Sequence, residues 1–577
     1  MRRTPRSVKA LAVLMGLGLF AVAACGSDDS GSSAGTTGGG AGTSAAAGAG
    51  TTAAGDRTPT GGTITVGAEQ WPECINVVTQ CGNSSWMQWT IMTPTMAGAW
   101  KTTNDGSYAA TSLLAEEPTL DNGGITEDPF TITFKINPDA TWEDGSPITS
   151  KDFEFTWHAT MDTTGSLSTT GYDQIDSIDT TDPQTAIVVF KTNYAAYKNL
   201  FYPIYKQAAF PAGETNLENE MTETVPFSGG PFMIDSWSPE QLVLVPNPNY
   251  WDKSQTPLVD KVVMVPLEDT DTEINALLSG QVDMIYPQPS AGTDQRLADP
   301  NVKFTIGYGT QYENLWIQQQ KGPFSDPILR QAFVRSVDTQ QIIDTIYKPI
   351  DPNAKQNVCM VWVTTVGQWC DQSLNQGLYD PDAAAKLLTD NGWAKGSDGI
   401  WAKGGERASM KWTINTGNTR RENTQALVIP DMKAKGFELV PDNTDAATYF
   451  QQKLPTLDVE LAMYINVAAP DPTVTTIMAC DFIPTPENPS GQNSSGYCNE
   501  DATKLMHDSD AELDESVRVD EIHQIGKLMA DDFVMVPLFQ FPTMAAWRTD
   551  RLDGPIDSDV SNYLSPFASL YDWTVKS

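Results

Sequence analysis

Few residue patterns in the sequence could support catalysis. The one Gly-x-Ser-x-Gly match, Gly31–Gly35, lies in a segment built almost entirely of Gly, Ser, Thr and Ala. Such a segment cannot form the strand–turn–helix unit that presents a nucleophile. The chain has no phosphate-binding loop motif and no His-Glu-x-x-His pair, and its 73 acidic residues are too many for spacing alone to single out an acid–base couple. We therefore predict that the protein is not an enzyme and carries no cofactor.

The N-terminus has the residue types of an export signal. Met1–Lys9 contains four basic and no acidic residues, and Ala10–Ala24 is an uncharged, mostly apolar run of 15 residues. Such a run suits the apolar part of a signal peptide but falls short of the roughly 20 residues of a transmembrane helix. The small residues before Cys25 resemble a bacterial lipobox, in which the thiol is lipidated and the cysteine becomes the mature N-terminus.

We therefore predict a signal peptide at residues 1–24 and a lipid anchor at Cys25; ordinary cleavage with an incidental Cys25 is the alternative. Residues 25–60 are predicted to form a tether, because Gly, Ser, Thr and Ala offer no apolar surface to offset the entropy of ordering. A flexible coil of this length spans about 30 Å root-mean-square. The anchor would hold the folded part at the outer face of the cytoplasmic membrane.

The remaining six cysteines form three close couples along the chain. An even number in an exported chain suggests disulfide bonds, although six cysteines permit about 15 pairings from sequence alone. We predict that each couple closes a short loop: Cys74–Cys81, Cys359–Cys370 and Cys480–Cys498. No metal site is predicted, because these spacings do not match paired zinc ligands and the three histidines are scattered.

Length and charge limit the class of partner. From Gly61 the chain has 517 residues, which is typical of two or three domains. The formal net charge is −37, and removal of the four basic residues of the signal leaves −41. This charge argues against nucleic acid or anionic lipid as the main partner. It is consistent with the solubility of an exposed protein, and alternatively with a preference for cationic solutes.

Helical and strand patterns alternate along the chain, which indicates an α/β fold. Strands are predicted at Ile64–Val66, Phe130–Ile136, Val282–Tyr286 and Phe533–Phe541. Helices are predicted after a cap at Thr149 or Ser150, at Asp271–Ser279 before Gly280, after Asp326, after Asp338, from Asp380 to Asn391 and at Val517–Met529.

Four stretches carry longer motifs. They contain Phe134-Lys135-Ile136-Asn137-Pro138 with Trp142-Glu143-Asp144-Gly145; Gly229-Gly230-Pro231-Phe232 with Asn249-Tyr250-Trp251 and Leu278-Ser279-Gly280-Gln281; Asp326-Pro327 with Arg330-Gln331-Ala332-Phe333; and Tyr379-Asp380-Pro381 with Gly392-Trp393 and Val536-Pro537-Leu538-Phe539. In order and spacing these stretches resemble the family 5 extracellular solute-binding proteins, the dipeptide, oligopeptide and nickel binders of bacterial ABC importers.

Most of these motif residues have a structural explanation. Gly229 and Gly230 would let the chain pass close to another backbone segment. Tyr250 and Trp251 are expected to be buried anchors, because large aromatic side chains usually stabilise a protein by burial. We therefore do not predict that the motif residues contact a ligand.

The resemblance implies a two-lobed, periplasmic-binding-protein-like fold of type II that closes like a hinge on its solute. It places the first lobe at residues 61–307, with an extra subdomain at about 93–226. The second lobe would span residues 308–532, and residues 533–577 would return to the first. It also implies a monomer that delivers a small-molecule or peptide ligand to a membrane ABC permease.

Candidate ligand-binding residues come from segments that line the cleft in the family. A ligand cleft needs aromatic walls and a few fixed polar groups. The predicted residues are Glu69, Trp71, Glu73, Trp86, Asn314, Trp316, Trp362, Tyr464, Asn466 and Asp471.

One position departs from the family pattern. Peptide binders of this family place an aspartate after a late strand to pair with the α-ammonium of the peptide, and the matching position here is Ala468. A buried ammonium without a partner is costly. Either Glu69, Glu73 or Asp471 replaces that aspartate, or the ligand has no free N-terminus.

Three functions therefore remain open after sequence analysis. The first is capture of peptides for an ABC importer, and the second is capture of another solute, such as a sugar or a modified peptide. The third is a lipoprotein that keeps the fold but acts as a scaffold or regulator of cell-envelope assembly. An open, aromatic-lined cleft would favour binding, and an occluded cleft would favour the scaffold.

Overall fold

The computed structural model of the chain describes residues 57–84, 86–103, 106–360, 362, 364–374, 378–485, 491–557 and 565–576. The predicted signal peptide, Cys25 and the predicted tether up to Asp56 lie outside these residues. Arg57–Thr60, predicted as the end of the tether, are instead bound to the folded domain. The Arg57 guanidinium donates to the Ser254 carbonyl at 2.7 Å and lies 2.6 Å from the Asp572 carboxylate.

The strands and helices are as follows. The strands are β1 Thr63–Ala68, β2 Trp100–Thr102, β3 Tyr108–Ala110, β4 Ile125–Glu127, β5 Phe130–Lys135, β6 Ile175–Asp182, β7 Thr185–Phe190, β8 Phe232–Ser238, β9 Gln241–Pro246, β10 Lys261–Pro266, β11 Met284–Ile285, β12 Val302–Ile317, β13 Ala394–Lys395, β14 Trp401–Lys403, β15 Glu406–Arg407, β16 Ser409–Thr413, β17 Glu438–Pro441, β18 Leu461–Val467, β19 Met535–Arg548, β20 Leu552–Asp553 and β21 Thr574–Val575. The α-helices are α1 Met92–Thr95, α2 Ser150–Asp162, α3 Thr270–Ser279, α4 Thr293–Arg296, α5 Pro327–Ser336, α6 Thr339–Ile342, α7 Pro381–Asp390, α8 Thr419–Lys435, α9 Thr475–Met478, α10 Glu500–Ala511 and α11 Glu515–Asp531.

Local sequence signals set several helix ends where they were predicted. α2 begins after Thr149, whose backbone N–H donates to the Asp152 carboxylate at 2.8 Å. α3 ends at Gly280, where φ is 76°, because a residue without a Cβ adopts this left-handed conformation at little cost. α5 and α7 each begin with a proline that directly follows a capping aspartate.

One mixed sheet of ten strands runs through the molecule in the order β17-β16-β18-β12-β19-β11-β1-β10-β9-β8. β12 and β19 are antiparallel neighbours at its centre, and their register shifts between Tyr308 and Tyr312. Before this shift β12 pairs with Pro542–Arg548, and after it with β18 and Met535–Gln540. We call the β11-β1-β10-β9-β8 side the first lobe and the β17-β16-β18 side the second lobe.

β19 is longer than the predicted strand at Phe533–Phe541. Its Pro537 lies at a second register shift, between Glu313 and Asn314 of β12. There the Asn314 side-chain oxygen accepts from the Leu538 backbone N–H at 3.4 Å, so the irregular ladder keeps a hydrogen bond. The sheet neighbours place the return of the chain to the first lobe after Phe541, later than the predicted boundary at residue 533.

A second sheet, β4-β5-β7-β6, belongs to the first lobe and packs against α2. Phe134 of β5 lies 5.3 Å from Phe153 of α2, between ring centroids. This sheet lies in the predicted extra subdomain, and its buried side chains share one hydrophobic core with the rest of the first lobe.

The second lobe has a core on each face of the sheet. Leu315 and Ile317 of β12 face one core, whereas Tyr312 and Trp316 face the other. This division follows from the alternation of side chains along a strand.

The three predicted disulfides are confirmed: Cys74–Cys81, Cys359–Cys370 and Cys480–Cys498, with Cα–Cα distances of 5.4, 5.5 and 4.6 Å. Cys480, Cys498 and Glu500 are the one group of metal-ligand types among the described residues, and its two thiols are joined in a disulfide. Within the described part of the chain, no helix combines the length and apolar character needed to cross a membrane.

Candidate functional site

A cavity of about 470 Å³ lies between the two lobes. The first lobe contributes Glu69, Trp86 and Gln288 to its wall, and the second lobe contributes Arg421, Tyr464 and Asn466. Phe541 and Thr543 of β19 lie between these two sets. Gln311 of β12 also lines the cavity, which is therefore enclosed by both lobes and by both strands that join them.

Glu69 follows the last residue of β1, so the central sheet of the first lobe places its carboxylate in the cavity wall. This carboxylate accepts from the Gln288 amide at 3.2 Å. Burial raises the pKa of Glu69 to about 7, although the hydrogen bond from Gln288 and the charges of Arg421 and Arg420 act in the opposite direction. Glu69 therefore changes charge near neutral pH.

A second carboxyl group lies close to Glu69. Glu273 of α3 is fully buried, and burial together with the charge of Glu69 raises its pKa well above the ordinary value. The buried Glu273 carboxyl therefore lies behind the cavity wall, and the charges of the two acids disfavour each other.

Arg421 belongs to a buried group of three charges. Glu313 of β12 accepts from Arg420 at 2.9 Å and from Arg421 at 2.5 Å, and all three side chains are almost fully buried. The two guanidinium groups hold the pKa of Glu313 below its ordinary value despite burial. One carboxylate faces two guanidiniums, so the group carries one surplus positive charge beside the cavity.

Gln288 links the two lobes at this end of the cavity. Its side-chain oxygen accepts from the Asn418 amide at 2.5 Å and from Arg420 at 3.0 Å, while its nitrogen donates to Glu69. Asn418 also caps α8, since its side chain accepts from the Arg421 backbone N–H at 3.1 Å. The same cap therefore positions the helix that carries both arginines.

Aromatic rings also line the cavity. Tyr464 lines the cavity and stacks on Trp316, with 5.4 Å between ring centroids and 17° between planes. Trp86 lines the cavity from the first lobe and lies 6.1 Å from Phe567. Trp316 is buried behind Tyr464 and supports the wall without lining it.

One edge of β18 has no described strand beside it along the cavity, while its other edge pairs with β12. β16 pairs with β18 only at Leu461 and Ala462, and no described strand continues that edge over Tyr464–Val467. Residues 464–467 all line the cavity. A free strand edge in a ligand cavity can pair with an extended chain.

A second cavity, of about 560 Å³, adjoins the first, and both are lined by Val467 and Ser565. Ala468, which takes the place of the aspartate expected from the family, lines this second cavity. So do Gly229, Gly230, Tyr250 and Trp251, which were predicted not to face a ligand. Gly230 also makes the predicted close approach, because a Cβ there would lie 2.4 Å from the Pro94 carbonyl oxygen.

The structure brings Glu69, Trp86, Tyr464 and Asn466 together and leaves the other six predicted residues outside both cavities. Trp71 donates to the Ser238 carbonyl at 3.1 Å, and exposed Glu73 faces the Gln451 amide. Asn314 and Trp316 are buried in β12 as described above. Trp362 is buried and donates to the Trp369 carbonyl, and Asp471 is ion-paired with Arg518. In this arrangement these six residues make contacts within the protein and line neither cavity.

Sequence analysis missed Arg421 and Gln288. Both act through partners that are distant in the sequence, since Glu313 precedes Arg420 by 107 residues and Gln288 precedes it by 132. A pair of adjacent arginines without a nearby family motif carries no local signal of this role. Their role becomes visible only in the folded structure, where the sheet brings β12 close to the N-terminus of α8.

Further contacts hold the lobes against each other away from the cavity. The Ala195 backbone N–H donates to the Asp510 carbonyl at 2.7 Å, and the Asn199 amide donates to the Asp471 carbonyl at 3.2 Å. The hydroxyl groups of Thr170 and Thr476 also contact each other across the lobes. The lobes are therefore closed over the cavity.

Comparison with known proteins places the chain in a family. The family model described as bacterial extracellular solute-binding proteins, family 5, matches residues 109–481. The chain is 23% identical to the dipeptide-binding protein DppE of Bacillus subtilis over 76% of this chain and 82% of that protein. It is also 23% identical to the oligopeptide-binding protein AppA of Bacillus subtilis over 96% of both chains.

Solved structures share the fold. The structure of AppA from Bacillus subtilis, in complex with a nonapeptide, matches with a TM-score of 0.79 at 20% identity and covers 90% of this chain and all of its own. A periplasmic EDTA-binding protein, EppA, matches with a TM-score of 0.77 at 19% identity over 90% of this chain and 97% of its own. These likenesses establish the two-lobed α/β fold. Proteins with this family domain bind solutes outside the cytoplasm for transport and are not enzymes. The chain belongs to family 5 of the bacterial extracellular solute-binding proteins.

Proposed function

We propose that the protein is the substrate-binding lipoprotein of an ABC importer and captures a peptide-like solute that carries a carboxylate. The observation that carries this proposal is the surplus positive charge at Arg421, in the wall of the interlobe cavity. The relatives DppE and AppA are named for dipeptide and oligopeptide binding, which supports the same class of ligand.

The charge at Arg421 suits a carboxylate in particular. A guanidinium offers a rigid fork of donors that matches the two oxygens of a carboxylate. Glu313 fixes Arg421 from behind, so the ligand need not order the side chain when it binds. A bound carboxylate would balance the buried surplus charge, which is otherwise costly in a low-dielectric site.

The free edge of β18 provides the second element of recognition. An extended ligand lying along Tyr464–Val467 would add a short strand to the sheet, and its backbone would complete hydrogen bonds that β16 leaves open. Such bonds do not depend on side-chain identity. The stacked ring of Tyr464 then offers an apolar surface to whichever side chain lies over it.

Ligand binding is tested by native mass spectrometry and calorimetry on the full chain, exported and solubilised in mild detergent. We expect co-purified or added short peptides to bind, and Arg421→Met to weaken their binding at least tenfold. Arg407→Met is the control, since Arg407 forms ion pairs on the exposed surface of the second lobe. Equal affinity in wild type and the Arg421 variant would reject the carboxylate anchor.

The alternatives have their own outcomes in the same experiment. A single bound non-peptide mass, such as a sugar, would keep solute binding and reject the peptide class. Bare protein that shows no thermal shift with any peptide or sugar would favour the scaffold role.

The lipid anchor at Cys25 is part of the proposal and supplies the location. We propose that the tethered protein acts beside its permease as a monomer. Cys25→Ser is expected to move the protein from the membrane fraction to the soluble exported fraction and to remove the mass of the lipid. Retention of the variant on the membrane would contradict the anchor.

A further inference from the structure

The second cavity differs from the rest of this acidic molecule in its charge. The sequence contains 73 acidic and 36 basic residues, yet no Asp or Glu is among the described residues that line this cavity. Its charged lining residues are Lys101 and Lys198.

The positive charge of Lys198 is balanced by a neighbouring carboxylate. Its ammonium lies 2.8 Å from the Glu117 carboxylate and 5.0 Å from the centre of the Trp100 ring. Lys101 is exposed at the mouth. The rest of the lining combines aromatic residues, including Trp100, Tyr202 and Trp251, with small residues and uncharged polar residues such as Asn199 and Gln255.

The acid in the loop that follows β18 is already ion-paired. Asp471 follows Ala468 by three residues, but its carboxylate pairs with Arg518. The Arg518 guanidinium also donates to the Pro472 carbonyl at 2.6 Å and to the Ser509 carbonyl at 2.9 Å, which fixes the pair in place. A cation in the second cavity therefore finds no available carboxylate from this loop.

One strand connects the two cavities. Residues 464–467 of β18 line the first cavity, and Val467 and Ala468 line the second. The path from Tyr464 to Ala468 measures about 13 Å at the usual rise of a strand, which is the length of three to four extended residues. A ligand held by Arg421 in the first cavity can thus place its opposite end in the second.

We propose that the second cavity receives an uncharged aromatic or acyl group at the end of the ligand and rejects a free ammonium. This inference rests on the proposed function, because it assumes a ligand whose carboxylate is held in the first cavity. An ammonium that enters this cavity loses its hydration and meets no carboxylate among the described lining residues, which is unfavourable. An acetylated or otherwise blocked amine avoids this cost and gains apolar contact. The favoured solute is therefore a short peptide with a blocked N-terminus.

The test is calorimetric titration of the full chain with two matched peptide pairs: Phe-Ala-Ala and Phe-Ala-Ala-Ala, each with a free and an acetylated N-terminus. We expect the acetylated form to bind at least tenfold more tightly. Equal affinity, or tighter binding of the free amine, would overturn this inference and leave the proposed function intact. If no form binds, both this inference and the peptide part of the proposed function fail.

A designed variant gives an independent readout. Ala468→Asp adds a carboxylate to the wall of the second cavity and is expected to raise affinity for the free-amine peptides and to lower it for the acetylated ones. Ser397→Asp adds the same charge at an exposed turn of the second lobe and should change neither. Thermal melting checks that both variants fold. An unchanged ratio of affinities in Ala468→Asp would overturn the inference.

Discussion

At the scale of single residues, the interlobe cavity depends on charges that are buried before any ligand arrives. Glu313, Arg420 and Arg421 lie in the interior of the second lobe, where the Glu313 carboxylate stabilises both guanidiniums. Such a group need not add to overall stability, but the loss of Glu313 leaves two buried positive charges without a counter-charge. The group is therefore sensitive to single substitutions.

We predict that Glu313→Gln lowers the free energy of unfolding by about 3–5 kcal/mol, because it leaves two buried guanidiniums without a counter-charge. Urea denaturation followed by tryptophan fluorescence measures the change. Asp390→Asn is the matched control, since it removes an exposed ion pair with Lys386 and should cost about 0.5 kcal/mol or less. Similar losses in both variants would contradict the role assigned to Glu313.

We predict that Glu69 makes stability depend on pH. The pKa of its carboxyl is about 7 in the folded protein and near 4.5 in an unfolded chain. The folded state therefore holds the proton more tightly, and this stabilising contribution is present in full below pH 4.5 and is lost as the pH rises to about 7. Glu69→Gln should remove this decline. The measurement is the melting temperature between pH 4.5 and 8 in both proteins, and parallel curves would contradict the prediction.

Residue-scale prediction from the sequence agrees with the cavity lining where position in a strand was sufficient. Glu69 and Tyr464 lie at or just after predicted or family-marked strand ends, so their location in the cavity wall follows from local order. Arg421 could not be found this way, because its orientation depends on Glu313 in another strand. Trp362 was predicted to contact ligand, but its side chain is buried in a core of the second lobe and lines neither cavity.

At the scale of elements, a single acidic side chain ties α2 to its surroundings. Asp152 accepts from the Thr149 backbone at the helix start, from the Gln207 backbone at 2.9 Å and from the Trp142 indole at 3.4 Å. Burial raises the pKa of this carboxyl, while the same hydrogen bonds lower it. One residue thus caps a helix and joins it to two other segments.

We predict that Asp152→Ala lowers the free energy of unfolding by about 3 kcal/mol, because the Thr149 and Gln207 backbone donors and the buried Trp142 indole lose their acceptor. Asp179→Ala is the control within the same subdomain, since Asp179 of β6 is exposed and accepts from the neighbouring Thr181 backbone. Chemical denaturation of both variants decides the matter. A loss below 1 kcal/mol in Asp152→Ala would show that water replaces the carboxylate.

Elements were predictable to different degrees for a physical reason. Helix ends such as those at Thr149 and Gly280 are set by neighbouring residues, so the sequence indicates them directly. β19 could not be delimited, because Pro537 normally argues against a strand interior, and only the register shift opposite Asn314 accommodates it. Strand length here is decided by the partner strand.

At the scale of the whole molecule, closure of the lobes depends on contacts outside the cavity. Thr170 of the first lobe and Thr476 of the second lobe meet through their hydroxyl groups. This contact must break if the lobes open to admit a solute, whereas the two central strands remain intact as the hinge. The contact therefore reports the state of closure.

We predict that Thr170→Cys combined with Thr476→Cys forms a disulfide that holds the lobes closed. After removal of bound solute, small-angle scattering should show a larger radius of gyration for wild type than for the oxidised double variant. Reduction should restore opening, and each single variant should behave like wild type. Expansion of the oxidised variant to the wild-type value would contradict hinge opening at this contact.

The central position of β19 also has a consequence for the order in which the protein can be assembled. β11 pairs with β1 and β12 pairs with β18, and all four strands precede residue 468. The strand that lies between β11 and β12 in the sheet is β19, Met535–Arg548, close to the end of the chain. A ribosome makes this strand after all the other strands of the ten-stranded sheet. Until then each lobe presents an open strand edge with apolar neighbours, which is a surface prone to misassembly. Completion of the sheet therefore waits for nearly the entire chain, and a chain truncated before Met535 would lack its central strand.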